Sequence, residues 1–503
     1  MTRILTFTGQ IRNKTASKSS GCLVTQQIIA ILRPFYRYLC VTSGTAILST
    51  GLLYSSTLQA DTPLPATKVP VHAYELDNGL KVLVKQDKRA PIAVVQLWYK
   101  VGSSYEHSGI TGVSHVLEHM MFKGTEKYPT GEFNRIIGEN GAQDNAFTSQ
   151  DYTVYYQILA NDRIEVAMEL ESDRMRGLTL PAAEFKKELE VVKEERRWRT
   201  EDKPNALTRE QFMATVFLNS PYGQPVIGWM TDLNQMQVED LKAWYERWYA
   251  PNNATLVVVG DVEPDDIYRL AKKYYGDIKP SVIPALKPRR ETPQQGKRHI
   301  IVKAPAEVPY VMMGFKTPAM VDLKGTDRDW EPYALEVLGS ILDGGSSSRM
   351  SREMIRGKEI AASASAWYSG YGRLPNLFML AGLPAKDVEL QVVKEALLEQ
   401  VERLKTELVT DKELARVKAQ VIAGEVYELD DVQHQAILLG SLESVGLGHK
   451  TMDDYVAKIL AVTPEQIQQV AQKYFVEDRL TIAELDPQPI DPNKPRNEPR
   501  FTR

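Results

Sequence analysis

The residues Ser114-His-Val-Leu-Glu-His-Met place His115 and His119 four apart, with Glu118 three after the first histidine. On a helix the three share a face. Two imidazoles so placed converge on one zinc ion, and a carboxylate beside them can take a proton from water. The order His-x-x-Glu-His is the inverted form of the zinc-hydrolase signature. Of seven histidines in the chain, the other five (His72, His107, His299, His434 and His449) show no ligand spacing. A catalytic zinc takes a third protein ligand and keeps one position open. The acidic stretch 184–195 is the obvious source: Glu188 and Glu195 lie seven apart on one helix face beside Leu189, Val191 and Val192, whereas Glu190 and Glu194 point to solvent. Spacing alone leaves Glu188 and Glu195 equally open as the ligand. A closed structural site needs four protein ligands, and no fourth is evident.

These residues need a scaffold, and periodicity supplies one. Strand patterns at 72–76 and 81–85 flank an Asp77-Asn78-Gly79 turn, and a third follows at 92–101. Helical periodicity covers 112–122, 131–140, 163–175, 182–199 and 238–248, with strands near 146–159 and 255–260. Residues 280–298 are rich in Pro, Arg, Gln and Gly and read as a linker. Beyond it the order recurs, with strands at 299–303, 310–317 and 361–368 and helices at 330–342, 348–355 and from Val388. The pattern Val238-Glu-Asp-Leu with Trp248-Tyr and a Val-rich strand resembles Thr463-Pro-Glu-Gln-Ile with Lys473-Tyr and a second strand, as a duplicated domain requires. The expected division is a targeting segment 1–60, a short linker 61–71, a zinc-bearing domain 72–280, a linker 281–298, a homologous domain 299–490 and a tail 491–503.

Residues 1–60 carry Arg3, Arg12, Lys14, Lys18, Arg33 and Arg37 and not one Asp or Glu. A moderately apolar run at 41–54 and small residues up to Ala60 complete the pattern of an export signal, with a mitochondrial presequence or uncleaved anchor as alternatives. The run is too short and too often interrupted by Ser, Thr and Gly for a membrane span. Removing the segment takes six positive charges from a net of −4 and leaves −10, which disfavours nucleic-acid binding. Cys22 and Cys40 leave with it, so the mature chain holds no disulfide and no thiolate ligand.

Four separated motifs carry a resemblance. Gly112-Val-Ser-His-Val-Leu-Glu-His-Met-Met-Phe-Lys-Gly-Thr, Gly141-Ala-Gln-Asp-Asn-Ala-Phe-Thr, Glu188-Leu-Glu-Val-Val-Lys-Glu-Glu and Tyr222-Gly-Gln-Pro-Val-Ile-Gly together resemble the insulinase/pitrilysin family, above all its shorter members similar to mitochondrial processing peptidase. The resemblance spans nearly everything after residue 72. It implies an α+β fold of two homologous domains, each a mixed, mostly antiparallel sheet flanked by helices, forming half of a clamshell. It implies one zinc per chain, with Glu195 as the third ligand and Glu188 supporting the site from behind. Asn145, Ala146, Phe147 and Thr148 would lie on a sheet edge that pairs with an extended peptide substrate.

The expected activity is hydrolysis of extended or unfolded peptides in a closed chamber, with Glu118 as general base. One departure bears on assembly. In complete family members an Arg and a Tyr seven apart follow the Ser-Ser-Arg motif, present here as Ser347-Ser-Arg349. The two positions fall here on Ile355 and Ala362. The gap resembles the zinc-bearing subunit of a two-chain peptidase and implies a heterodimer with a homologous subunit that lacks the metal motif and supplies the pair, or else a homodimer. The expected location is the periplasm of a Gram-negative bacterium, with the mitochondrion as alternative. The rival expectation is a catalytically silent binding or assembly subunit of the same fold.

Overall fold

Short Val- and Ile-rich runs form the inner strands of the first sheet, whereas its outer strand 143–148, Gln-Asp-Asn-Ala-Phe-Thr, has neither residue. Strands β1 (Val71–Glu75), β2 (Lys81–Gln86), β3 (Ile92–Tyr99), β4 (Gln143–Thr148), β5 (Thr153–Ala160) and β6 (Ala254–Gly260) are arranged in the order β1-β2-β6-β3-β5-β4. The β1–β2 hairpin is antiparallel, β2 runs parallel to β6, and the remaining pairs are antiparallel. Every residue of β6 is buried, as a central strand covered on both faces should be. The computed structural model describes residues 69–287, 289–428 and 430–491. The targeting segment 1–60 with Cys22, Cys40 and Ala60 lies outside the described residues, as does the tail from 492.

Strands β7 (Arg298–Pro305), β8 (Tyr310–Thr317), β9 (Ala361–Tyr368), β10 (Asn376–Pro384) and β11 (Leu480–Gln488) form a second sheet in the order β7-β11-β8-β10-β9. Its one parallel pair, β7 with β11, matches β2 with β6, and the antiparallel run β11-β8-β10-β9 matches β6-β3-β5-β4. The helix before the last strand of each half starts in the same way. Asp240 reaches back to the backbone N–H of Gln237, and Gln466 to that of Thr463. The chain thus holds two homologous α+β halves, each a mixed sheet flanked by helices.

The main helices are α1 (Val113–Met120), α2 (Glu132–Glu139), α3 (Ile164–Gly177), α4 (Ala182–Arg196), α5 (Pro204–Val216), α6 (Val238–Trp248), α7 (Pro264–Tyr275), α8 (Glu331–Asp343), α9 (Leu390–Thr406), α10 (Asp411–Glu428), α11 (Val432–Ser444) and α12 (Pro464–Tyr474). One face of the first sheet packs on its own helices, through Val95, Leu97, Val113, Leu117, Val192 and Leu241 among others. Its opposite face is covered by the other half: Ala436 and Leu439 of α11 lie against Leu83, Val94, Trp98, Val257 and Val259. The second sheet receives α5 in return, with Phe212 and Val216 against Met312, Met379 and Leu485. Each half therefore lends the other a helix. Gly440 lets α11 come down on the indole, since a Cβ there would stand 2.0 Å from Trp98 Cε2.

The segment 281–298 differs from a loosely packed linker. The Glu291 carboxylate accepts from the backbone N–H groups of Leu218, Asn219 and Ser220 and from Lys316 Nζ, and Gln294 is buried with its amide on Leu480 O. Charged and amide side chains do here what apolar ones do elsewhere, which composition alone does not reveal.

Candidate metal centre

Helix α1 is held at its start by a residue that spacing gave no reason to single out. The buried Glu106 carboxylate accepts from Gly112 N at 2.7 Å and Ser114 N at 2.9 Å, occupying two N–H groups that a helix start leaves open. Burial pushes Glu106 up to about 7, against the pull of those bonds. Asp232 ties the preceding turn by accepting from Thr111 Oγ1 at 2.6 Å and Gly109 N at 3.0 Å, and Trp229 N donates to Thr111 Oγ1. This is where the motif from Tyr222 to Gly228 ends: it supports the helix that carries the histidines.

On the next turn the His115, His119 and Glu195 side chains meet. His115 Nε2 lies 3.9 Å and His119 Nε2 3.3 Å from Glu195 Oε2, and the three donor atoms all lie within 4.8 Å of one another. Among the described residues this is the one group of three or more His, Cys, Asp or Glu side chains that could hold a metal ion. Donors about 2.0–2.1 Å from a shared tetrahedral zinc stand roughly 3.3–3.5 Å apart, so two imidazoles and a carboxylate in this arrangement fit the ion with small adjustment. The donor chemistry fits as well, being nitrogen and oxygen with no thiolate.

Glu188 stands behind this group. Its Oε2 lies 3.4 Å from His119 Nδ1, and its Oε1 lies 2.5 Å from Lys123 Nζ. That placement orients an imidazole through its far nitrogen. His115 Nδ1, in contrast, is buried without a hydrogen-bond partner. Arg199 closes the other side, with Nη1 2.7 Å from Glu195 Oε1, after α4 gives way to a π-helical turn at Arg197–Glu201. Glu190 and Glu194 face solvent and pair with Lys193 and Arg197.

Burial and neighbouring charges act unevenly on the members of this group. Burial pulls His115 down to about 4 against the attraction of Glu195. For His119 burial acts the same way, but the hydrogen bonds to Glu188 and Glu195 outweigh it and lift the imidazole to about 10. Burial also opposes ionisation of Glu195, yet His115, His119 and Arg199 hold it at about 2. Glu118, on the same helix face, is pushed up to about 7 by burial, with His119 and the Thr148 hydroxyl acting the other way.

Strand β4 is the outer strand of its sheet and runs beside α1. Asn145 and Ala146 lie on this edge, and Ala146 N donates to Asn145 Oδ1 at 2.8 Å. Phe147 turns to the opposite face, 5% exposed and edge-on to Trp98, Tyr152 and Tyr156. Thr148 turns toward α1, where its hydroxyl donates to Glu118 Oε2 at 2.6 Å. In the second half Arg349 is buried and forked onto Glu413 at 2.7 and 3.0 Å; Ile355 packs against the core of that half, and Ala362 is exposed on β9.

Residues 81–229 match the family model described as insulinase (peptidase family M16), and residues 235–421 match the one described as peptidase M16 inactive domain. The zinc protease PqqE of Helicobacter pylori is 30% identical over 430 residues, covering 83% of this chain and 94% of that protein. The chain belongs to the insulinase family, peptidase family M16. A zinc protease of Bacillus subtilis, YmxG, is 27% identical over 81% of the chain and 96% of its own length. Among solved structures, a protease from Helicobacter pylori superposes with a TM-score of 0.78 at 29% identity, covering 84% of this chain and all of that one. The periplasmic protease PqqL of Escherichia coli shares the fold with a TM-score of 0.69 at 19% identity, and the match spans 49% of its length. The relatives are named zinc proteases, and the half matched by the inactive-domain model is the one without the His-x-x-Glu-His motif.

Proposed function

We propose that this chain is a zinc metalloendopeptidase that hydrolyses extended peptides, with His115, His119 and Glu195 as metal ligands and Glu118 as general base. The observation that carries the reading is the convergence of His115 Nε2, His119 Nε2 and Glu195 Oε2, with the Glu118 carboxylate on the same helix face. Zinc held there supplies Lewis acidity to the scissile carbonyl and the hydrolytic water. Glu118 takes a proton from that water and returns it to the leaving amine nitrogen, a role suited to a buried carboxylate on the same helix face as the two histidines. Glu188 fixes the ring of His119, and Arg199 occupies the Glu195 oxygen turned away from the histidines. The backbone at Asn145 and Ala146 offers an open strand edge, on which an extended peptide gains main-chain hydrogen bonds.

The chamber requires a second half. PqqL is about twice the length matched here, which supports a partner of the same family in a heterodimer, or a second copy in a homodimer. Ile355 and Ala362, where the Arg and Tyr pair is missing, favour a partner that supplies it. Export to the periplasm rests on the basic, acid-free residues 1–60. Among the described residues no helix is long and apolar enough to cross a membrane.

The test is zinc content together with cleavage of a quenched-fluorescent peptide mixture, by the chain alone and with a homologous partner, beside Glu118→Gln. The reading requires about one zinc per chain and zinc-dependent cleavage that Glu118→Gln abolishes while retaining the metal. Bound zinc without cleavage in either setting is the result expected of a silent assembly subunit.

A further inference from the structure

Strand alternation decides what the last residue of β4 can do. Ala146 and Thr148 share one face and Asn145 and Phe147 the other. Ala146 belongs to the core cluster that includes Val113, Val116 and Leu117 of α1, while Phe147 lies in the separate cluster under α11. Thr148 is therefore directed at α1, and at 6% exposure its side chain is not available to a passing peptide. Its hydroxyl donates to Glu118 Oε2 at 2.6 Å, within the short range of a hydrogen bond to a carboxylate.

The strand end is itself immobilised. Ser149 N donates to Tyr152 O, and Ser103 N and Ser104 N donate to Ser149 O and Gln150 O. The buried Asp151 carboxylate, three residues beyond Thr148, accepts from Ser104 Oγ at 2.7 Å, from the Tyr222 hydroxyl and from Arg373 N at 3.0 Å. Arg373 comes from the second half. A β-branched side chain on so fixed a backbone has little rotamer freedom, so its hydroxyl is a stationary donor.

The bond fixes one oxygen of a carboxylate that, on a helix side chain, would otherwise sample several rotamers.

We infer that Thr148 is the positioning residue for the general base: its hydroxyl holds Glu118 Oε2 and turns Oε1 to the hydrolytic water. The inference rests on the proposed role of Glu118. The proton leaving water goes to Oε1 and from there to the amine nitrogen, and Thr148 keeps its own proton throughout. The family resemblance places Thr148 with the substrate-binding edge; the hydrogen bond places it with the base.

The experiment compares Thr148→Val, which keeps the shape and removes the hydroxyl, with Thr148→Ser, which keeps the hydroxyl. Both are made in the full chain under the conditions in which wild type cleaves. Thr148→Val is expected to lower kcat about 10- to 100-fold, the range of one hydrogen bond to a charged group. Its KM should stay within about twofold, and zinc content and melting temperature should be unchanged. Thr148→Ser should restore most of kcat. In a Glu118→Gln background, Thr148→Val should cost nothing further. Should the Val variant fail to fold, Thr148→Ala is read in the same way. The inference is overturned if kcat survives in Thr148→Val, if Val and Ser are equally impaired, or if the loss appears in KM or in bound zinc. A wild type no more active than Glu118→Gln overturns the base assignment itself and takes this inference with it.

Discussion

The contact between α11 and the first sheet makes a prediction whose sign runs against helix propensity. Gly440 lies inside α11, and replacing a helical glycine by alanine ordinarily stabilises by about 0.8–1.0 kcal/mol. Here the added Cβ would stand 2.0 Å from Trp98 Cε2, 2.2 Å from Nε1 and 2.5 Å from Cδ2. To restore ordinary contact at about 3.5–4.0 Å, the ring or the helix must retreat by well over an ångström. The ring is poorly placed to move: it is fully buried, its Nε1 donates to Gln96 Oε1 at 2.9 Å, and Phe147 and Tyr152 lie against it. Overpacking of this kind costs about 1–3 kcal/mol, and loss of the indole hydrogen bond about 1 more. Less the propensity gain, Gly440→Ala should destabilise by roughly 1–3 kcal/mol. The control is Gly424, inside α10, where a Cβ meets nothing within 4 Å. Gly424→Ala should be neutral or stabilising by up to about 1 kcal/mol. Urea unfolding followed by tryptophan fluorescence and by circular dichroism gives both numbers. A Gly440→Ala protein as stable as wild type would show that α11 does not sit on Trp98 as described.

Two further predictions concern charge. Glu195→Gln should lose zinc, read by chelator competition, whereas Glu188→Gln should weaken binding about 10- to 100-fold while leaving the site able to fill; equal losses would refute the distinction between ligand and supporting carboxylate. In the second half, burial opposes ionisation of Glu413, but the Arg349 fork and the Thr410 hydrogen bonds hold it at about 2. A depressed carboxylate contributes stability that is present above its unfolded value and lost as pH falls through its folded one. Stability should therefore drop by up to about 3 kcal/mol between pH about 4.5 and 2, and Glu413→Gln should flatten that part of the curve. An unchanged acid limb in the variant would refute it.

Much of the candidate metal centre was legible because its chemistry is local. His115, Glu118 and His119 follow from helical spacing, and Glu188 and Glu195 share a helix face. Which of those two meets the histidines needs the distance between α1 and α4, so the residues alone left it open. The doubled α+β order was also visible, since alternating strands and amphipathic helices write their period into the chain. What escaped is what depends on distant pairing. Helices α5 and α7 and strand β10 were not expected, and the run of helices from Val388 was left undivided. Helix α11 has little amphipathic contrast, because its neighbours lie on several sides. The site residues Glu106, Arg199 and Arg373 carry no short motif, and the structure reveals them by what they touch.

The exchanged helices also explain what a half without a metal motif does for one that has it. Arg196 follows Glu195 in α4 and is buried in a fork on Glu210 of α5, at 2.7 and 2.9 Å. On its far side α5 is seated on the second sheet through Phe212 and Val216. Glu195, the proposed third ligand, is thus connected, through one ion pair and one helix, to a sheet that lends no residue to the His115–His119–Glu195 group. Arg373 makes the corresponding connection to the turn after β4, beside the residue that holds Glu118. Helix α4 and the turn beside Thr148 are both braced from the second half, so loosening its sheet would loosen the attachment of each.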